Sequence, residues 1–298
     1  MKAPQFGYTR PATVEETLAL LTQYGDDARI LAGGQSLAVL LNLRVASPRV
    51  VIDINRISAL SGIAVNDGTI RIGALTRHAA IERSAVIASR LPMLAQAITH
   101  VGHPAVRTRG TFGGSCALAD PSAELPACSL ALDATFVAAS SQGERRIRAE
   151  AFFRGTYTTS LRPDELLTTI EFPVPPPGDR SAFAELARRH GDFAMAGVAV
   201  HARVDGDTAS DLRVVAFGVH DSPTRMRQIE KVLDGRALTT ATIKQSISAL
   251  DADLHPRGDI HASAAAKAHF VRVLTARALG ELVDAAAPSF APALAKSA

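Results

Sequence analysis

Apolar positions Val14, Leu18 and Leu21 recur at helical spacing behind Thr13 and Glu16. That pair forms a capping box, and Gly25 marks the stop, so the pattern predicts a short amphipathic helix. From Arg29 to Leu41 the chain reads R-I-L-A-G-G-Q-S-L-A-V-L-L: a short apolar strand, a paired-glycine turn with a serine, and an apolar helix from near Leu37. Val50 to Ile54, behind Pro48, is a β-branched run that predicts a buried strand. Ile63 to Val65 and Ile70 to Ile72 flank Asn66-Asp67-Gly68 as a hairpin. A helical stretch from Thr76 to about Ile98, interrupted near Pro92, leads into a polar loop from Gly102 to Gly110. Thr111-Phe112-Gly113-Gly114-Ser115 then repeats the glycine pair with a serine.

After Glu171-Phe172, the run Pro173 to Gly178 reads as a linker, and the remainder of the chain reads as a separate unit. Ala194 to Val204 and Leu212 to Val219 predict antiparallel strands joined by Asp205-Gly206-Asp207. Helices are predicted at about 224–234, 240–250 and 262–286, the last presenting Phe270, Leu274 and Leu282 on one face. The fold class is therefore α+β. The expected units are 1–57, 58–177 and 178–287, with 288–298 as a tail.

Composition narrows the function classes. With 47% hydrophobic and 20% charged residues in 298, the chain is a folded globular protein. The net charge of +3 is mild and its arginines are interleaved with acids, which argues against nucleic acid. Two cysteines, Cys116 and Cys128, lack zinc or iron–sulfur spacing, and the nine histidines form no H-x-x-x-H or H-E-x-x-H pattern, so no metal is assigned. The N-terminal residues contain no apolar secretory core, and no run of about 18 apolar residues predicts a membrane span. The expected location is cytoplasmic.

Taken alone, Gly33-Gly34 admits two readings, a tight turn into a buried helix or a cradle of backbone N–H groups for an anion. A second such loop favours the cradle. Charge-assisted hydrogen bonds contribute roughly 1.5–3 kcal/mol each against an association cost of about 4–15 kcal/mol, so two loops hold a diphosphate where one barely does. Ser36, Thr111 and Ser115 would add hydroxyl donors. A rival reading takes Gly34-Gln35-Ser36-Leu37-Ala38 as a nucleophile elbow, with Ser36 the nucleophile of an α/β-hydrolase. It leaves the second glycine loop unexplained, and no histidine motif completes a triad.

The combined motifs are more specific than either loop. A-G-G-Q-S at 32–36, L-R-V-A-S-P at 43–48 and D-I at 53–54 precede G-H-P-A-V-R-T-R-G-T-F-G-G-S-C-A-L-A-D-P-S-A-E-L-P-A at 102–127. F-F-R-G at 152–155, L-R-P-D-E-L-L at 161–167 and A-R-R-H-G-D-F-A-M-A-G-V-A at 187–199 come next, in order. This series resembles the FAD-binding medium subunit of the molybdenum hydroxylases, the xanthine dehydrogenase and carbon monoxide dehydrogenase family.

The resemblance implies a two-subdomain FAD-binding domain of PCMH type followed by a smaller antiparallel-sheet-plus-helices domain. It implies that the FAD pyrophosphate lies against Ala32, Gly33, Gly34, Gln35 and Ser36 on one side and Thr111, Phe112, Gly113, Gly114 and Ser115 on the other. Glu124 falls at the carboxylate that bonds the flavin nucleotide, with Asp120 nearby, and Val101 and Leu167 fall at apolar cofactor contacts. Phe112 stands where isoleucine is common over the flavin ring, and Glu185 where several members place a lysine. No residue of this chain is expected to be catalytic, since the cofactor carries the chemistry. The resemblance further implies a large molybdenum–pterin subunit and a small subunit with two [2Fe–2S] clusters, assembled as a dimer of heterotrimers. Electrons would pass from those clusters through FAD to NAD, a quinone, another carrier or dioxygen. A scaffold that has lost its cofactor is the remaining alternative, and the two intact glycine loops count against it.

Overall fold

The computed structural model describes residues 2–283. The chain opens with strand β1 (Gly7–Thr9), helix α1 (Val14–Tyr24), β2 (Ala28–Leu31), α2 (Leu37–Asn42) and β3 (Val50–Asp53). These strands form a parallel sheet in the order β1-β3-β2, with every residue of β3 buried. The Thr13 hydroxyl accepts from the Glu16 N–H and Glu16 accepts from the Ala12 N–H, so the capping signal read in the sequence starts α1. The glycine loop leaves the carboxyl end of β2.

The hairpin forms as β4 (Ile63–Asn66) and β5 (Thr69–Gly73). The long helix predicted after it is three short ones, α3 (His78–Glu82), α4 (Ala85–Arg90) and α5 (Pro92–Ala97). Ser84 caps α4 through the Ile87 N–H, and Leu91 adopts φ −132° and ψ 61° because the proline behind it disfavours the helical region. The polar loop also departs from expectation. It contains α6 (Pro104–Arg107), and Arg107 is buried.

Helices α7 (Phe112–Leu118) and α8 (Glu124–Ala131) come next, then β6 (Thr135–Ser140), β7 (Gly143–Arg148), α9 (Ala149–Phe152), the ribbon β8 (Phe153–Gly155) with β9 (Thr158–Thr159), and β10 (Leu166–Pro173). The second sheet runs β4-β5-β10-β6-β7, with β5 and β6 both antiparallel to β10. Ile70, Ile72, Phe136 and Phe172 have no exposed surface and form its core with α5, α7 and α8.

The third sheet comprises β11 (Asp179–Leu186), β12 (Ala196–Asp205), β13 (Thr208–Phe217) and β14 (Thr224–Arg225), in that order; after α10 (Arg227–Leu233), β15 (Arg236–Ala237) pairs with β13. Helices α11 (Thr240–Ser246) and α12 (Ala264–Glu281) complete the described chain, and the predicted helical residues 284–286 and the tail lie outside it. Both faces of β12 are buried. Val198, Val200 and Ala202 pack with α12, whereas Ala199 joins Phe183, Val215 and Phe217 in the core shared with α5 and α8. The unit after the proline linker is thus not separately packed. Alternation along the strands gives each core its own face of one sheet.

Candidate functional site

The two glycine loops meet. A Cβ on Gly33 would collide with the carbonyl oxygen of Arg109 and lie 2.9 Å from the Gly110 Cα; one on Gly114 would lie 3.9 Å from the Ala32 Cβ. Gly34 has φ +72°, a left-handed turn that glycine adopts without strain. Gly113 is buried, its N–H donates to the Ala74 carbonyl at 2.9 Å, and an added Cβ would lie 2.7 Å from the Ala74 Cα. The Thr111 hydroxyl accepts from the Gly114 N–H at 3.1 Å and caps α7, so its oxygen is engaged while its proton remains available. Among the described residues, the N–H groups of Gly33, Gly34, Gln35, Ser36 and Leu37 donate to no protein acceptor. Free N–H donors on a loop whose Gly33 has no room for a Cβ fit a diphosphate.

Sequence reasoning missed the residues that brace this clamp. Asn55 donates its side-chain N–H to the Ala32 carbonyl at 2.7 Å and to Asp53 Oδ1 at 2.6 Å. The Asn55 Oδ1 accepts from Arg77 at 2.6 Å, and the other arm of Arg77 donates to the Arg109 carbonyl. Arg77 and Asn55 therefore tie one jaw to the other. Burial pushes the Asp53 carboxyl up, but hydrogen bonds from Tyr8 and Asn55 and the nearby Arg10 outweigh it and hold Asp53 below its ordinary value. The only sequence signal was D-I-N directly after a buried strand.

The other expected site residues are distributed around the clamp. Val101 is partly buried against the core and offers its carbonyl to Arg107 at 3.3 Å. Leu167 is buried in β10, where the register with β6 shifts. Asp120 accepts from the Ser122 N–H at 2.9 Å and from the Tyr157 hydroxyl at 3.2 Å. Phe112 has no exposed surface and packs edge-on to Phe172 at 6.0 Å, so it supports the loop from the core and presents no outer face to a ring. Cys116 is an inert core thiol, its pKa pushed up to about 12 by burial, with its sulfur 3.9 Å from the Ser129 hydroxyl.

Two acids are unusual. Glu124 opens α8, and burial raises its pKa to about 7, opposed by a backbone hydrogen bond and reinforced by Asp120. Burial raises Glu185 to about 8, reinforced by Glu124. Both carboxyls hold protons more tightly folded than unfolded. Their stability contribution is full below the ordinary carboxylate value of 4.5 and is lost as pH rises through about 7 and 8. Urea denaturation of the chain is expected to show stability falling across this window, with a shallower fall in Glu185→Gln; equal slopes would show that Glu185 does not contribute.

Residues 4–175 match the FAD binding domain in molybdopterin dehydrogenase, and residues 181–282 match the CO dehydrogenase flavoprotein C-terminal domain. The chain belongs to the molybdenum hydroxylase flavoprotein family. It is 40% identical to the 6-hydroxypseudooxynicotine dehydrogenase complex subunit alpha of Paenarthrobacter nicotinovorans, over 97% of this chain and 98% of that one. It is 38% identical to the carbon monoxide dehydrogenase medium chain of Hydrogenophaga pseudoflava, over 94% and 97% of the two chains. A solved structure of carbon monoxide dehydrogenase from that organism superposes with a TM-score of 0.91 at 38% identity, covering 94% of this chain and 98% of the other. Quinoline 2-oxidoreductase from Pseudomonas putida 86 gives 0.91 at 33% identity, over 97% and 100%. The α+β fold and the two-part order read from the sequence agree with these matches, and the hydrolase reading of Ser36 finds no support. The family's members are subunits of multi-subunit oxidoreductases, and among the described residues no helix is long and apolar enough to cross a membrane.

Proposed function

We propose that the Ala32–Ser36 and Thr111–Ser115 loops grip the pyrophosphate of FAD, and that the chain passes electrons from the [2Fe–2S] clusters of a small partner subunit to an external acceptor. The observation that carries the assignment is the contact between the two loops, with five unpartnered N–H groups on one of them. Bound FAD would supply the chemistry: it takes electrons one at a time and releases two together. The protein's own residues bind and orient. Gly34 turns the loop, Ser36 and Ser115 offer hydroxyls, Thr111 holds the second loop on α7, and Asn55 with Arg77 fixes the spacing between jaws. Asp120, on the segment leaving α7, and Glu124, the first residue of α8, would contact the nucleotide as the resemblance implies, with Val101 and Leu167 as apolar contacts.

In this reading a large molybdenum–pterin subunit oxidises the organic or gaseous substrate, the assembly is a dimer of heterotrimers, and it works in the cytoplasm. The purified full chain is expected to bind FAD stoichiometrically and to mediate FAD-dependent dye reduction in the assembled complex, yet to oxidise no N-heteroaromatic, aldehyde, purine or carbon monoxide alone. Substrate turnover by the isolated chain would overturn the division of labour. Arg77→Met is expected to weaken FAD binding about ten- to a hundredfold, from loss of a hydrogen-bonding charge contributing roughly 1.5–3 kcal/mol. A flavin-fluorescence titration measures it, and an unchanged Kd would remove Arg77 from the brace.

A further inference from the structure

The buried junction between α5, α8 and β11 holds a carboxyl that no clamp residue touches. Gln96 of α5 donates to the Phe183 carbonyl at 2.9 Å and accepts from the Phe183 N–H at 3.3 Å, pinning the edge strand β11 to the helix. His100 lies in the turn that follows α5, its N–H donating to the Ala97 carbonyl, and Glu185 lies two beyond Phe183, on the same strand face. The His100 ring accordingly packs on Phe183 at 5.4 Å, and its Nδ1 lies 4.0 Å from Glu185 Oε1. The Glu185 side chain is 2% exposed, its Oε2 has no hydrogen-bond partner, and among the described residues no lysine or arginine pairs with it. The ionisable groups around it are Glu124 and the Cys128 thiol on α8 and His100 beyond α5; its strand partner across β12 is Gly197.

A buried carboxylate with neither a cation nor a full set of donors cannot stay ionised, and a second acid beside it makes ionisation harder still. The route outward is equally specific. His100 is 30% exposed by side chain and stacks on His190 at 5.7 Å with 29° between the rings; His190 is exposed. The loop carrying His190 is held in place, because Gly191 (φ +87°) sits so close to Gly102 and His103 that a Cβ would lie 3.0 Å from the Gly102 carbonyl oxygen.

We propose that Glu185 is a proton-holding residue and that His100 and His190 connect it to solvent, forming a relay that serves the flavin-bearing site. This rests on the FAD reading above. Full reduction of FAD consumes two electrons and two protons, whereas iron–sulfur clusters deliver electrons alone, so the protons must come from water. In the relay, the Glu185 O–H releases one proton toward the site. Glu185 regains one from His100, which is refilled from His190 and bulk solvent, so one proton enters for each that leaves. The 4.0 Å gap between His100 and Glu185 is one that a small ring rotation closes. His100 fits a shuttle, since burial and the neighbouring His190 hold it below its ordinary value and keep it neutral and ready to accept. Residues His100 to Thr111 are also one continuous segment, beginning at this cluster and ending at the clamp.

Two measurements on the full chain test the relay. Infrared difference spectra of the FAD-free chain at neutral pH, in H2O and D2O, are expected to show a protonated carboxyl band that disappears in Glu185→Gln. Identical spectra would show that Glu185 carries no proton. In the FAD-loaded chain, proton uptake followed with a pH-indicator dye in weak buffer should keep pace with bleaching of the flavin by a reduced viologen, which supplies electrons without protons. In His100→Phe, which preserves the packing on Phe183, uptake is expected to lag about a hundredfold, the scale of a positioned proton donor. Traces superimposable on wild type would overturn the relay. Flavin absorbance and circular dichroism monitor cofactor content and folding for each variant, and should Glu185→Gln misfold, His100→Phe and His190→Ala, at the relay's exposed end, decide it. A wild-type chain that binds no FAD would defeat the cofactor reading separately, since the infrared measurement needs no cofactor.

Discussion

Gly33→Ala is expected to lower FAD affinity about a hundredfold, the consequence of a clash of about 3 kcal/mol in a site with no room to relax. The added methyl would meet the Arg109 carbonyl oxygen, with the Arg109 carbonyl carbon at 3.0 Å and the Gly110 Cα at 2.9 Å. All three are backbone atoms. They cannot rotate away, so the jaws must separate, and the free N–H donors of the first loop move away from the second. Gly114→Ala meets only the Thr111 hydroxyl, at 2.6 Å, and disrupts the cap of α7. Its expected effect is smaller, on the scale of about 1 kcal/mol for a lost cap. The measurement is flavin-to-protein ratio after gel filtration, followed by a Kd from flavin fluorescence. Circular dichroism should be unchanged, because Gly33 lies outside every strand and helix. Wild-type affinity in a folded Gly33→Ala chain would mean that the loops do not grip the cofactor.

What made the clamp legible was repetition. Two paired-glycine turns, each with a serine, pointed to one ligand before either jaw had a position in space, and the structure brings them together. The reason for each glycine was less legible. Gly34 serves the turn, but Gly33 and Gly113 are there so that one backbone can lie against another, a fact of tertiary contact with no local signature. The strands that went unseen have the same explanation. β7 reads G-E-R-R-I-R, which looks like solvated chain, with only Ile147 buried. Its Arg145 pairs with the buried Glu165 at 2.5 Å, and Arg146 pairs with Glu171 of β10. Cross-strand ion pairs thus replace the apolar alternation by which a strand is recognised. β11 was hidden because its Phe183 packs and hydrogen-bonds against α5, far away in sequence.

Arg107 is the clearest residue of this kind, and Arg107→Met is expected to cost about 3–5 kcal/mol of stability, the range for breaking a buried charge pair from one side. In a polar run, G-H-P-A-V-R-T-R-G, nothing separates it from its exposed neighbour Arg109. Folded, it is 6% exposed. Its guanidinium forks onto both oxygens of Glu82 at 3.0 and 3.1 Å, while its other arm donates to the carbonyls of Thr99, Val101 and Gly102, the last at 2.9 Å. Methionine fills similar volume but leaves those carbonyls without a donor and Glu82 without its partner. Lysine keeps the charge and cannot reproduce the fork, so Arg107→Lys should fall between the two. Urea denaturation with an unchanged m-value measures the loss. Adding Glu82→Gln to Arg107→Met should recover part of it, because the uncompensated carboxylate is then gone. FAD affinity should fall as well, since Arg107 organises the segment from His100 to Thr111 that ends in the second jaw. A loss below about 1 kcal/mol, the level of an exposed pair, would show that water has replaced the fork.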